Sequence, residues 1–231
     1  MLAIFDNEEV GSGTKQGAAS PILRTILERV AFNQGYKIEE LYRAIHNSFM
    51  ISADMAHALH PNYPEKHDPT NHPIMNQGPV IKINANQKYI TDGDSAAVFA
   101  TICKMAGVPY QTFVNHSDMA GGSTLGNILL TQMEMRGVDI GNPMWAMHSV
   151  RETAGVLDQD YVIKAFRLSI TFKIRDYLRS YPHKSKSLIC GDQCFNRQDQ
   201  ILISQLILRR FYYQYFFNFV IKKINYENYH L

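Results

Sequence analysis

Short apolar runs alternate along the chain with segments of helical periodicity. Five runs have the length and composition of buried strands, and they are Leu2–Phe5, Phe49–Ala53, Val80–Ile83, Tyr110–Val114 and Val138–Ile140. Five segments between and after them predict helices: Ala18–Phe32, Ile38–His46, Ser95–Ala106, Leu125–Met133 and Gln159–Leu168. This alternation is typical of an α/β fold, with a layered, parallel or mixed sheet flanked by helices.

One long segment interrupts this alternation. Residues His57–Gly78 are rich in His, Pro and Asn and carry no clear periodicity. A loop of that length inside a compact domain is usually functional or disordered. In open α/β sheets, functional residues gather at the strand ends and in the loops that follow them.

The pattern stops near residue 170, which divides the chain into an α/β part (1–170) and a divergent tail (171–231) of uncertain fold. The first part contains 13 Lys and Arg against 17 Asp and Glu, whereas the tail contains 10 against 4. Within the tail, Tyr177–Gln200 is polar and Ile201–Ile221 is apolar and aromatic. Arg209 and Arg210 in the middle of the apolar run argue against a membrane-spanning helix.

The overall composition excludes several classes of protein. A net charge of +2 does not indicate a nucleic-acid or membrane partner. Three cysteines are too few for a disulfide scaffold; Cys103 lies in an apolar helical segment and is expected to be a buried thiol.

Because no basic leader precedes an apolar run, we expect a cytoplasmic protein. The opening run has the pattern of a core strand, which leads us to expect a fragment.

The first candidate for chemistry is the acidic sequence Asp6-Asn7-Glu8-Glu9, which directly follows the opening strand. Adjacent carboxylates at a strand end are costly unless a positive charge neutralises them. A divalent metal would do so, with one Glu as a ligand and the other free to act as a base. The alternative is a solvated acidic turn.

Two further candidates follow predicted strands. Asp54 and His57 come at the end of the second apolar run, and His148 lies shortly after the fifth. Taken singly, Asp54 has the position of a helix N-cap, and each His is commonly a surface residue. Together with the Glu pair they form a ligand set that suits zinc, manganese or cobalt.

Five long motifs occur in the order and spacing of a known family. They are FDNEEVGSGTKQGAAS (Phe5–Ser20), ISADMAHALHPNYPEKHDPTNHP (Ile51–Pro73), GPVIKINANQKY (Gly78–Tyr89), NHSDMAGGSTLGN (Asn115–Asn127) and DIGNPMWAMHSVRETAG (Asp139–Gly155). Over about residues 1–168 the chain resembles the aspartyl aminopeptidase family of dinuclear zinc metallopeptidases, in particular its bacterial members. The likeness covers only the C-terminal half of the family's catalytic domain.

The resemblance implies roles for four residues. Glu8 would be the general base, Glu9 and His148 would bind one zinc ion, and Asp54 would bind a second. Manganese or cobalt are possible substitutes for zinc. Two neighbouring cations lower the pKa of a bridging water and polarise the scissile carbonyl.

The resemblance also implies a substrate-binding surface for peptides. Lys82 matches a lysine that meets an acidic substrate side chain, although a solvated lysine near a strand end is the alternative. His57 and Tyr89 are expected to line the pocket. The loop Gly121–Thr124 resembles a backbone segment near the substrate terminus. It is not a phosphate-binding loop, because no Gly-Lys-Ser/Thr follows.

The family pattern has parts that these motifs do not include. A metal-binding His, an Asp that bridges both metals and a dimerisation domain precede the Glu-Glu strand in the family, which forms large homo-oligomers. We therefore expect impaired activity. The alternatives are a non-catalytic subunit that associates with intact homologues, and a nucleic-acid- or membrane-binding protein that acts through its basic tail. The number of metal ions bound per chain separates the first alternative from an enzyme.

Overall fold

Seven strands form one sheet in the computed structural model, which describes residues 1–171 and 219–221. The strands are β1 (Leu2–Ala3), β2 (Phe49–His57), β3 (Val80–Ile83), β4 (Gln111–Val114), β5 (Arg136–Trp145), β6 (Thr153–Ala154) and β7 (Phe219–Ile221). Their order is β1-β7-β2-β5-β3-β4, and β6 pairs with β5. The pairs β2–β5 and β3–β4 are parallel, while β3–β5, β2–β7, β1–β7 and β5–β6 are antiparallel. The predicted mixed α/β sheet is therefore confirmed.

Helices cover both faces of this sheet. They are α1 (Ile22–Asn33), α2 (Ile38–His46), α3 (Gly93–Met105), α4 (Leu125–Leu130) and α5 (Val156–Thr171). One buried cluster joins α1, α2 and α4 to Met50 of β2, and another joins α3 and α5 to Ile51 of the same strand. Since neighbouring residues of a strand point to opposite faces, the sheet separates two apolar cores.

The same alternation places polar side chains on the face that carries α4. Ile51, Ile81 and Val138 belong to the core beneath α3 and α5. Their strand neighbours Ser52, Lys82 and Asp139 therefore point to the other face, and all three are buried. Buried polar groups on one face of a central sheet mark the region where function is to be sought.

The predicted elements all occur; β3 and α2 have the predicted bounds and the other elements have shifted bounds. Helix α1 begins at Ile22 rather than Ala18, because Pro21 occupies its N-cap position and proline favours a helix start over its interior. Strand β5 extends beyond Val138–Ile140 at both ends because it pairs with β2 over nine residues, from Phe49–Arg136 to His57–Met144. The loop after β2 is irregular apart from a single turn of 3₁₀ helix at Pro64–Lys66.

Several sequence predictions concern other parts of the chain. Cys103 is buried as expected, and burial raises its pKa to about 12. No helix within residues 1–171 has the length and apolarity needed to cross a membrane. Tyr177–Gln200 and most of Ile201–Ile221 lie outside the described residues. The proposed division at residue 170 stays a prediction.

Candidate active site

The Glu9 carboxylate meets the His148 imidazole. His148 Nε2 lies 3.1 Å from Glu9 Oε2, and the two side chains are 72% and 64% exposed. An exposed ion pair contributes little to stability. Stabilisation of the fold therefore does not account for this contact. A carboxylate and an imidazole side by side are, however, typical ligands of zinc.

The backbone around His148 is unusual. The residue lies in the turn that joins β5 to β6, and both Ala146 (φ +56°) and His148 (φ +67°) adopt the left-handed conformation. The His148 N–H donates to Oε1 of Glu152, and the Ser149 N–H donates to the Ala146 carbonyl. Left-handed backbone at non-glycine residues is uncommon and concentrates at functional sites. The conformation of this turn therefore supports a functional role for the His148 imidazole.

A second charged pair lies on the face of the sheet that carries α4. Lys82 Nζ lies 3.4 Å from Asp54 Oδ2, and the lysine side chain is only 4% exposed against 22% for the aspartate. A buried ammonium needs a compensating carboxylate. The alternative of a solvated Lys82 is therefore wrong, and so is a helix N-cap role for Asp54, because Asp54 is a residue of β2.

His57 is electrostatically influenced by residues of both pairs. The residue ends β2 and is exposed, yet its pKa is lowered. Desolvation by the surrounding protein is the largest cause, followed by the positive charges of Lys82 and His148, while Asp54 acts in the opposite direction. A neutral imidazole can accept or donate a hydrogen bond without adding charge.

Tyr89 and Phe113 form an aromatic wall beside Lys82. The Lys82 ammonium lies 5.6 Å from the centre of the Tyr89 ring, and the ring centroids of Tyr89 and Phe113 are 6.4 Å apart. Burial, followed by the charges of Asp139 and Asp54, raises the pKa of Tyr89 to about 12. The phenol thus stays protonated at neutral pH.

Glu8 shares with Glu9 the turn that follows β1 and is partly buried. The structure thus places the two glutamates in one short segment. It does not separate their roles, so the assignment of Glu8 as a base and Glu9 as a ligand stays a prediction.

The residues fit a metal centre in part. The ligands Glu9 and His148 come together, whereas Asp54 is paired with Lys82. Within residues 1–171, no three His, Cys, Asp or Glu side chains are grouped so that they could hold a metal ion. The described residues therefore supply a two-ligand half-site whose donor chemistry suits zinc.

Asp139 is the buried acid that the sequence reasoning missed. It lies in β5, is 0% exposed, and its Oδ2 accepts the Ile90 N–H at 2.7 Å. Burial raises the pKa of this carboxyl, and nearby Lys82 opposes the shift. The available signal was a carboxylate between two apolar residues of a predicted core strand, Val138 and Ile140.

Comparison with known proteins agrees with this fold. Residues 1–169 match the family described as aminopeptidase I zinc metalloprotease (M18). A probable M18 family aminopeptidase 2 of Clostridium acetobutylicum is 57% identical over 166 residues, covering 72% of this chain and 38% of the relative. An aspartyl aminopeptidase of Dictyostelium discoideum is 48% identical over 164 residues, covering 68% of this chain and 34% of the relative.

Solved structures show the same relationship. The Ape4 chain of an Ape4–Nbr1 complex is 42% identical with a TM-score of 0.67, covering 71% of this chain and 31% of that one. The M18 aminopeptidase of Thermotoga maritima is 25% identical with a TM-score of 0.63, covering 71% and 38%. The fold is thus that of a zinc aminopeptidase domain. The chain belongs to the M18 peptidase family, and it spans little more than a third of the length of these relatives.

Proposed function

We propose that residues 1–170 form part of a metal-dependent aminopeptidase site that removes N-terminal residues from peptides. The observation that carries this proposal is the Glu9–His148 pair, 3.1 Å apart. In this pair, a residue of the motif Phe5–Ser20 contacts a residue of the motif Asp139–Gly155. Asp54 and Lys82 form the second charged pair of the site and interact with the same imidazole, that of His57.

Each residue has a chemical role in this proposal. Glu9 and His148 would hold one zinc ion and Asp54 would contribute to a second; when bound, zinc polarises the scissile carbonyl and acidifies water. Glu8 accepts the proton of the attacking water on its carboxylate and delivers it to the leaving amine. General base catalysis of this kind contributes about 10²–10⁴ in rate.

Substrate recognition would fall to the interior of the site. The Lys82 ammonium donates charge-assisted hydrogen bonds to an acidic side chain of the N-terminal residue. Tyr89 and His57 line the same region. The yeast relative mApe1 is a dodecamer, and homo-oligomeric assembly in the cytoplasm is part of the proposal for this chain.

A non-catalytic subunit is the second candidate. The observation in its favour is the two-ligand half-site, because the described residues offer no group of three ligands. Such a chain would fold, associate with complete homologues and bind at most one zinc ion.

The test is a segment exchange. Residues 1–170 replace the matching segment of the Clostridium acetobutylicum relative, which shares 57% identity with this chain. The purified exchange protein is analysed for zinc and assayed with aspartyl and leucyl chromogenic substrates. We expect about two zinc ions per chain and turnover within about tenfold of the parent, since the site residues are those of the motif.

The control carries Glu9→Gln in the same exchange protein. It is expected to lose zinc and turnover together. A folded exchange protein that holds zinc but hydrolyses neither substrate would contradict the enzymatic proposal and favour the non-catalytic subunit.

A further inference from the structure

Two asparagines lie at the ends of the parallel strands β3 and β4. Asn84 follows Ile83, the last residue of β3, and Asn115 follows Val114, the last residue of β4. Asn84 Nδ2 donates to Asn115 Oδ1 at 3.2 Å, and both residues are partly buried. Because Ile83 and Val114 are the last pair of the backbone ladder, the two side chains extend the contact between the strands by one residue.

Asn84 also shapes the segment that leads to Tyr89. Its Oδ1 accepts the Asn86 N–H at 2.9 Å and the Lys88 N–H at 3.4 Å, and its carbonyl accepts the Gln87 N–H at 3.0 Å. Gln87 has φ +54°, a left-handed conformation that is uncommon outside glycine. One residue thus organises the turn between the end of β3 and the buried Tyr89 side chain.

Asn115 is the point where two other loops meet. Its backbone forms an isolated bridge with His67 of the long loop after β2. The glycine loop, Gly121–Thr124, also comes close. A Cβ on Gly121 would lie 3.0 Å from Asn115 Oδ1 and 3.3 Å from Asn84 Nδ2. These distances are tight for a side chain, so a glycine at this position lets the loop approach the asparagine pair.

We propose that Asn84 and Asn115 are positioning residues of the site: their side-chain hydrogen bond holds the glycine loop beside the strand that carries Lys82, and thereby sets the affinity for the N-terminal residue of a peptide. This inference rests on the proposed function. Neither asparagine is assigned to a metal, to water or to the substrate. The pair acts through the glycine loop and through the turn that carries Tyr89.

The composition of the glycine loop explains why such a link matters. Gly122 and Ser123 are exposed, and exposed loops have low local stability. Glycine loses more conformational freedom on ordering than any other residue, and this loop contains two in succession, Gly121 and Gly122. A contact that orders the loop in advance reduces the entropy lost when a ligand binds. Loss of the link should therefore weaken binding.

Isosteric replacements separate the link from the charge. In Asn115→Asp, the Asn84 amide still donates to a carboxylate oxygen. In Asn84→Asp, the Asn115 amide can turn over and donate to the new carboxylate, which still accepts the N–H groups of Asn86 and Lys88. The double variant places two carboxylates against each other with no donor between them. Each single variant therefore keeps the link, and the double variant breaks it.

The experiment measures loop order and ligand binding in the full chain. Nitrogen-15 relaxation gives the backbone order parameters of Gly121 and Gly122 without any ligand. Calorimetry in the presence of zinc gives the affinity for L-leucinamide, which presents an N-terminal residue with a neutral side chain. The control combines Asn33→Asp with Asn47→Asp, which adds the same two charges at exposed positions of α1 and directly after α2.

We expect the single variants to stay close to the wild type in both measurements. The double variant should lose affinity on the order of tenfold beyond the product of the two single effects, and the order parameters of Gly121 and Gly122 should fall. The control should match the wild type. A single variant that loses as much as the double variant overturns the role of the hydrogen bond.

Two further outcomes separate this inference from the proposed function. A double variant with unchanged loop order, or with a disordered loop and unchanged affinity, overturns the positioning role and leaves the proposed function standing. A wild-type chain that takes up zinc but does not bind L-leucinamide overturns the proposed function and this inference with it. Should the double variant fail to fold, Asn115→Leu removes the acceptor without adding charge and carries the same expectation.

Discussion

Nε2 of His148 lies 3.1 Å from Oε2 of Glu9, although one residue follows the first strand of the chain and the other lies in the turn after β5. The contact is exposed and contributes little to folding. Its ligand chemistry and the left-handed backbone of His148 instead point to a metal. The described residues also contain a second exposed His–Glu pair, His46 Nδ1 and Glu134 Oε1 at 3.5 Å. His46 ends α2, and Glu134 lies in the loop before β5.

The two pairs provide a matched test of zinc binding. We expect His148→Ala and Glu9→Gln each to lower the zinc affinity of the chain by about tenfold or more, since each removes a direct ligand. His46→Ala and Glu134→Gln remove the same chemical groups elsewhere and should leave the affinity unchanged. Competition with a fluorescent zinc chelator measures all four variants. Equal losses in both sets would show non-specific binding.

The two glutamates of the turn should separate in function. In the segment-exchange protein, Glu8→Gln is expected to lower turnover by about 10²-fold or more while zinc content stays near that of the parent, because the amide cannot accept the proton. Glu9→Gln should lose zinc. If zinc is lost with Glu8→Gln and retained with Glu9→Gln, the two roles must be exchanged.

Lys82 should act on acidic substrates selectively. In the exchange protein, Lys82→Met keeps the apolar stem and removes the ammonium, which faces Asp54 and Tyr89. We expect kcat/KM for an aspartyl substrate to fall at least tenfold more than that for a leucyl substrate. A conservative control, Lys82→Arg, retains the charge. Equal losses for both substrates in Lys82→Met would remove Lys82 from substrate selection.

Periodicity was sufficient for the fold, but it could not identify buried charges. The bounds of β3 and α2 agree with prediction. Strand β5 was predicted too short, since Gly137, Gly141 and Pro143 interrupt its apolar pattern while its pairing with β2 continues. Gly141 lies so close to β2 that a Cβ would stand 2.5 Å from the Asp54 carbonyl oxygen.

Prediction of the site from the sequence had the same limit: motifs identified residues at strand ends, but not the buried carboxylate. The motifs named Glu9, His148, Asp54 and Lys82 as site residues, and their roles stay predictions. In the structure Glu9 lies beside His148 and Lys82 beside Asp54, because strand ends meet in an open sheet. Asp139 was missed because its neighbours in sequence indicate only a core strand. Its hydrogen bonds are made with Ile90 and Thr91, which are distant from it in sequence and leave no local pattern.

A second buried carboxylate should make stability depend on pH. Asp158 in α5 is buried, and it accepts the N–H groups of Asn76 and Gly78 at 2.6 and 2.8 Å. Burial raises its pKa above the ordinary 3.8, and the two hydrogen bonds only partly oppose this. An acid whose pKa is higher in the folded state holds its proton more tightly there. Its contribution to the free energy of unfolding is therefore complete below pH 3.8 and falls as pH rises through the folded-state pKa.

The variant Asp158→Asn isolates this contribution. Asn offers one acceptor for two N–H groups, so we expect a loss of about 1–3 kcal/mol in the free energy of unfolding. That loss should become smaller as pH rises from about 4 toward neutrality, because only the wild-type residue titrates. Urea unfolding at several pH values measures it, with the exposed Asp160→Asn as the control. A loss that grows with pH would contradict the raised pKa.

The final prediction concerns the 231-residue chain by itself, which we expect to show little or no aminopeptidase activity. Its described residues bring two proposed metal ligands together, Glu9 and His148, and provide no group of three. Two divalent cations held close together repel each other strongly unless several anionic ligands surround them, so the chain should hold at most one zinc ion. Purified chain is assayed with aspartyl and leucyl substrates in added zinc, manganese or cobalt, alongside metal analysis and the active exchange protein as a positive control. Robust turnover with two metals per chain would show that further residues complete the site.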